Sequence, residues 1–333
     1  MKLHNWSDIK TGFKHNILLG NGASIAIDKR LSYHSLYEQV CESGRLNREI
    51  TAMFEYFGTT NFEFIMKLLL EASQVNEVLE IDDEKTKDYY YAIRDSLIST
   101  IGDIHPTYQS VEHFLPQIAN FLGNFHTVLS LNYDLLVYWA MLIGNDNLEC
   151  QWFKDCYVSG EFEKDFSYLY RPLPPAKGAT LVFYPHGSLF LATDIYGNEE
   201  KLSRSQDEFL LETILARWKE KDYIPLFVSE GNTTEKFHAI TRSNYLNTIY
   251  DSILRKINGS LVIYGWSASE QDEHIFNAID HRGITDIAVS VHTANPDWES
   301  HCESIDDRFA RTHNLRDSEI YFFDSQCDDC WIY

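Results

Sequence analysis

Short apolar runs rich in β-branched and aromatic residues recur along the chain, each running into Gly, Asn, Asp, Ser or His. They are Asn16–Leu19, Thr127–Leu131, Thr180–Tyr184, Ile224–Val228, Ser260–Tyr264, Ile287–Val291 and Ile320–Phe323. Runs of this length, closed by turn formers, predict buried strands. Segments that can be helical, such as Ser243–Lys256 and Asp272–Asp280, lie between most of them. This alternation predicts an α/β fold, a Rossmann-like doubly wound and mostly parallel sheet. Ligands of such sheets bind beyond the carboxyl ends of the strands.

One stretch breaks the alternation. From about Leu46 to Gly123 no run reads as a strand, and Phe62, Ile65, Met66, Leu69 and Leu70 fall at i, i+3, i+4, i+7 and i+8. That spacing predicts a helix with one buried face, and it reads as core packing rather than as a ligand box. Residues 46–123 are therefore expected to be a helical insertion over the ligand edge of a single domain spanning 1–333, with the acidic Glu80–Glu84 run as a solvated loop. Pro172, Pro174 and Pro175 mark a linker before Thr180–Tyr184, and residues 320–333 a last strand and tail.

Composition narrows the class. The 333 residues are 44% hydrophobic and include 20 Tyr and 20 Phe, enough apolar surface to offset the ordering entropy of a globular chain. The net charge of −22 disfavours direct nucleic-acid binding, which draws most of its affinity from phosphate contacts. A nucleotide is still acceptable, because backbone N–H groups can hold a diphosphate without help from net charge. No leader is visible and no apolar run approaches the ~18 residues that span a bilayer, so a cytoplasmic protein away from membranes is expected. The six cysteines, at 41, 150, 156, 302, 327 and 330, are scattered as reduced thiols would be.

Five strand ends carry candidate chemistry. After Asn16–Leu19 comes Gly20-Asn21-Gly22-Ala23-Ser24. Its glycines allow a tight turn and close approach to a diphosphate, and Ser24 can cap a helix whose free N–H groups face the ligand, although a plain structural turn has the same look. Leu131 is followed by Asn132-Tyr133-Asp134, whose amide and carboxylate, two apart, can converge on one ligand or serve as a helix cap. Tyr184-Pro185-His186-Gly187 offers an acid or base beside a glycine that would leave space for a ribose, or a hydrogen-bonded loop histidine. Tyr264-Gly265-Trp266-Ser267-Ala268-Ser269 precedes Asp272, a candidate cap for the next helix, and His274. Beyond Ile287–Val291, His292, Thr293, Ala294 and Asn295 could reach an adenosine.

The order Gly-x-Gly-Ala-Ser, Asn-Tyr-Asp, His-Gly, then Gly-x-Ser with a downstream Asp-x-His resembles the SIR2 family, and is most similar to the SIR2-like NADases of bacterial anti-phage systems. The resemblance extends over roughly 14–30, 125–190 and 222–296. It implies an NAD glycohydrolase that yields nicotinamide and ADP-ribose, with NAD as substrate and no metal. Asn132 and His186 would be catalytic. Gly20, Asn21, Gly22, Ala23, Ser24 and Asp134 would hold the phosphates, riboses and carboxamide, while Gly265 and Ser267 would sit beside the adenosine half with Asp272 and His274 in support.

Two departures bear on the activity. Sirtuin deacylases carry two Cys-x-x-Cys pairs for a structural zinc, whereas this chain has only Cys327 and Cys330, and Asn21 stands where sirtuins usually have alanine. Competing expectations are an NAD or ADP-ribose sensor without turnover, and deacylation or ADP-ribosyl transfer to another nucleophile. The resemblance also implies that a toxic effector is held silent, through homo-oligomer assembly or a partner such as a HerA-like hexameric ATPase. The insertion and the tail Cys330-Trp331-Ile332-Tyr333 are where an interface is expected.

Overall fold

Leu19, Ser130 and Tyr264 lie side by side at the carboxyl ends of three neighbouring strands, and this register organises the molecule. In this computed structural model the described residues are 2–32, 36–146, 151–158, 160–172, 174–194, 196–202, 209–220, 223–228, 233–268, 270–279, 283–313 and 320–333. The strands in chain order are β1 (Leu3–His4), β2 (Asn16–Leu19), β3 (Thr127–Ser130), β4 (Gln151–Lys154), β5 (Tyr157–Val158), β6 (Glu161–Phe162) and β7 (Gly178–Phe183). They continue as β8 (Gly187–Thr193), β9 (Glu199–Lys201), β10 (Ile224–Phe227), β11 (Gly259–Tyr264), β12 (Ile284–Val291) and β13 (Ile320–Asp324).

Eight of them form one sheet in the order β1-β13-β12-β11-β2-β3-β7-β4. Every neighbouring pair is parallel. The central strands β2 and β3 are buried at all four positions, as expected where helices cover both faces of a parallel sheet. The chain leaves β2 toward β3 on one side and later returns to β11 on the other. That reversal makes a crevice at the carboxyl ends of β11, β2, β3 and β7, in a Rossmann-like, doubly wound arrangement.

The run Ile224–Val228 does form a strand, over Ile224–Phe227, but it does not join this sheet. It pairs antiparallel with β8, which pairs antiparallel with β9. What keeps β8 itself out of the parallel sheet is the connection before it: Gly187 N–H donates to Tyr184 O at 2.8 Å in a tight turn straight out of β7. A parallel neighbour needs a crossover of about a dozen residues, and here there is none. Strand β4, a half-buried edge strand, carries too weak an apolar pattern to be read from sequence.

Between β2 and β3 the long segment is helical, with helices at Leu36–Glu42, Arg48–Phe57, Phe62–Val78, Lys85–Ile104, Tyr108–Val111 and Leu115–Leu122. Asn47 and Asn61 start two of them by accepting hydrogen bonds from Ile50 N–H and Phe64 N–H. Phe62, Ile65, Met66 and Leu69 are buried core, and their helix rests on β10. The insertion therefore packs against the antiparallel sheet. Residues 80–84 form a loop between helices. Ser243–Lys256 resolves into a Ser243-capped helix, Asn244–Ser252, and a 3-10 turn, Leu254–Lys256. The helix expected at Asp272–Asp280 spans Glu273–Ala278, and Asp280 lies outside the described residues.

Part of the C-terminal tail belongs to the core, while Tyr333 stays exposed. Cys330 and Trp331 are buried, and the Trp331 indole N–H donates to Ala23 O at 2.8 Å, tying the chain end to the helix that follows β2. Burial pushes the Cys330 thiol far up, so it is an inert core group rather than a surface thiol. No described helix is long and apolar enough to cross a membrane.

Candidate active site

The four strand ends open on a cleft of about 470 Å³. Gly20, Asn21, Gly22, Asn132, Asp134, His186, Gly265, Ser267 and Asp272 line it. Ala23, Ser24 and His274 are buried behind that lining. Ser269 and Cys150 lie outside the described residues. The fifth strand end does not reach the cleft: Thr293 is occupied by a hydrogen bond from its hydroxyl to the Asp324 carboxylate.

The glycine motif works differently from the sequence expectation. Helix Asn21–Ile27 starts directly from Gly20, which places Ser24 inside the helix and not at its cap. A Cβ on Gly20 would stand 2.5 Å from Trp266 Cα, and one on Gly22 would stand 2.8 Å from Gly265 O. Gly265 itself has φ +66°, and its Cβ would meet Ala23 N at 2.4 Å. These glycines let two strand-end loops pack backbone against backbone. The N–H groups of Gly20, Gly22 and Ala23 are consumed there, by Tyr264 O, Gly265 O and Gly20 O, and are not available to a diphosphate.

Ser24 has become the hub of a buried chain of hydrogen bonds. The Asn132 amide donates to Gly20 O at 3.0 Å and to Ser24 Oγ at 2.8 Å, and Ser24 Oγ donates to Asp134 Oδ2 at 2.5 Å. Because Gly20 O can only accept, the orientation of the amide is set by its surroundings. Both amide hydrogens are committed, which leaves Asn132 Oδ1 as an acceptor for the cleft. Asp134 uses its second oxygen to accept from Leu136 N–H at 2.9 Å, as the cap reading of this motif expects. His105 supports the same turn. Its Nδ1–H donates to Pro106 O at 2.8 Å while Nε2 accepts from Leu135 N–H at 3.1 Å.

His186 also lines the cleft and is only 4% exposed. Gly187, at φ +74°, leaves no space for a ribose; a Cβ there would meet Leu226 O at 2.1 Å, because β10 passes against it. His186 Nε2 lies 2.9 Å from His274 Nε2. Asp272 does not cap its helix by a side-chain bond; it accepts from Lys236 Nζ at 2.9 Å and from Trp266 Nε1 at 3.0 Å. Burial pushes the His186 imidazole down to about 3 and that of His274 to about 4, with Asp272 pulling upward and Lys236 downward in both. Burial would raise Asp272, but His186, the Lys236 ammonium and the Trp266 N–H outweigh it and hold the carboxyl at about 2. Both imidazoles are thus neutral at pH 7, beside an ionised carboxylate.

His186, Asp272 and His274 have ligand atoms within 4.8 Å of one another, the spread of a metal set. Their directions do not suit one. The two rings are 5.1 Å apart between centroids, nearly the most that a 2.9 Å nitrogen contact allows, so the two Nε2 atoms face each other head-on. A tetrahedral metal needs lone pairs that converge on a third point, about 2.0–2.1 Å from each nitrogen. The carboxylate is also already held by an ammonium.

Sequence reasoning missed Lys236, a buried cation in the cleft wall, and His105. Neither has a local signal: Lys236 sits in the polar helix Thr233–Arg242, and His105 simply ends a helix. The fold and cleft define an α/β protein with a doubly wound parallel sheet and a polar, partly charged crevice at its switch point. The chain belongs to the DUF4917 family, a domain of unknown function that matches residues 17–331. No curated protein matches it.

Proposed function

We propose that this protein is a SIR2-like NAD glycohydrolase, cleaving the nicotinamide–ribose bond to give nicotinamide and ADP-ribose. The observation that carries the reading is that Asn132, its amide hydrogens locked to Gly20 O and Ser24 Oγ, offers a fixed acceptor oxygen in the same cleft as the neutral imidazole of His186. Departure of neutral nicotinamide from its cationic glycoside builds oxocarbenium character on the ribose. A water hydrogen-bonded to Asn132 Oδ1 is oriented for attack on that carbon, and His186, in the tautomer that leaves its Nδ1 bare, is the group able to accept a proton from water or a ribose hydroxyl. Asp134 and Asp272 place negative charge near the developing cation. No step in this scheme calls on a metal.

On this reading the protein is a cytoplasmic NAD-depleting effector of anti-phage defence. It is controlled as a homo-oligomer or by a partner, a HerA-like ATPase being the type the resemblance implies. A sensing module that binds NAD or ADP-ribose without turnover is the second reading. It is favoured by the commitment of His186 Nε2 to His274 and by the weak basicity of both rings. The deciding experiment incubates the protein with NAD, alone and with candidate partners, and follows nicotinamide and ADP-ribose beside Asn132→Ala and His186→Ala. Release of both products by wild type only supports hydrolysis. NAD binding without release under every condition supports the sensor.

A further inference from the structure

Two neutral imidazoles facing each other head-on share one proton between their Nε2 atoms, and it can belong to either ring. If His186 owned it, His274 would carry its other proton on Nδ1, an atom that is buried without a partner among the described residues. If His274 owns it, that buried Nδ1 is a bare acceptor. An orphaned buried N–H is the rarer and costlier of the two defects. Tyr250 Oη donates to the His274 carbonyl at 3.1 Å and anchors the backbone of the helix Glu273–Ala278 that carries this ring.

The geometry points to His274 as a positioning residue: it donates Nε2–H to His186 Nε2, and His186 therefore turns an Nδ1–H donor into the cleft. The inference rests on the proposed role of His186 only for its consequence. The first group that His186 meets on a ligand is a lone pair, such as a ribose hydroxyl oxygen. Accepting a proton at Nδ1 requires the opposite tautomer, which strands the Nδ1–H of His274.

The test needs no turnover. The full chain labelled with ¹⁵N-histidine, without NAD, is read by its imidazole ¹⁵N shifts, with the His186 signals assigned by their loss in His186→Gln. The expected result is a protonated Nδ1 and a bare Nε2 on His186. His274→Gln, whose amide can still donate, is expected to keep this pattern. His274→Glu, whose carboxylate can only accept, is expected to move the His186 proton to Nε2. A wild-type His186 protonated on Nε2, or a tautomer unchanged in His274→Glu, overturns the inference. Failure of NAD cleavage leaves these shifts untouched, so the two readings fail separately.

Discussion

Asn132 Nδ2 lies 2.8 Å from Ser24 Oγ, joining the end of β3 to the helix that follows β2 through two side chains with almost no solvent contact. The hydroxyl also donates to Asp134, so it aligns the amide and satisfies the carboxylate at once.

Ser24→Ala removes the acceptor of one amide hydrogen and the donor to a buried carboxylate oxygen. A loss of about 1–3 kcal/mol in folding stability is expected, measured by urea denaturation. Under the proposed function NAD turnover falls further, by about 10²-fold, because the amide is no longer held in one orientation. Unchanged stability would mean that the hydrogen-bond chain is not formed in solution.

Gly265→Ala tests the backbone contact between the strand ends. The new Cβ would meet Ala23 N at 2.4 Å at a φ of +66°, and no side chain can yield to relieve it. Loss of soluble folded protein is expected, or a stability drop well beyond the cost of about 1 kcal/mol for an ordinary left-handed alanine. A well-folded variant with wild-type melting would contradict the packing described.

Acid weakens the fold through the histidine pair. His186 and His274 have folded values of about 3 and about 4, below the roughly 6.5 of an unfolded chain, so the unfolded state binds more protons as pH falls. Stability therefore decreases from pH 6.5 downward, by on the order of 2 kcal/mol per histidine at pH 5. Burial lowers His105, His126 and His301 in the same direction. The pair is isolated by comparing wild type with His274→Gln, which should show a shallower slope between pH 7 and pH 5. Asp272 adds its own loss only below its unfolded value of 3.8. Equal slopes would show that His274 is not a buried neutral group.

Glu63 behaves oppositely. Burial, opposed by Lys67 and Arg242, raises its carboxyl to about 7, and Oε2 has no partner among the described residues. The folded state then holds a proton that the unfolded chain gives up from about 4.5, so its contribution to stability is lost as pH rises through that window. Glu63→Gln is expected to be more stable than wild type at pH 8 by about 1–2 kcal/mol, with the gap closing toward pH 4.5. A variant less stable at pH 8 would mean that the carboxylate is paired.

The parallel sheet was legible because its strands announce themselves locally. β2, β3, β7, β11, β12 and β13 are apolar runs that stop at turn formers; the bounds of β2 coincide and those of the others differ by one to three residues. The destination of Ile224–Phe227 was not legible, because pattern specifies a strand but not its partner. Its partner is β8, which the tight turn at Gly187 keeps out of the parallel sheet. Nor was the tail: Trp331 is core because it reaches the helix after β2, 308 positions away in the chain.

At the cleft the division is the same. Strand ends, motif order and residue chemistry are properties of short segments, and they named Asn132, Asp134 and His186, all of which line one cleft. Which atom bonds to which depends on contacts between segments. The glycines serve loop packing, Ser24 became a hub, and Lys236 came in from a distant helix to hold Asp272. Local backbone preference and burial pattern act over a few residues and are carried by the chain itself, whereas the pairing of buried polar groups is settled only when strands and helices far apart in sequence meet with no water between them.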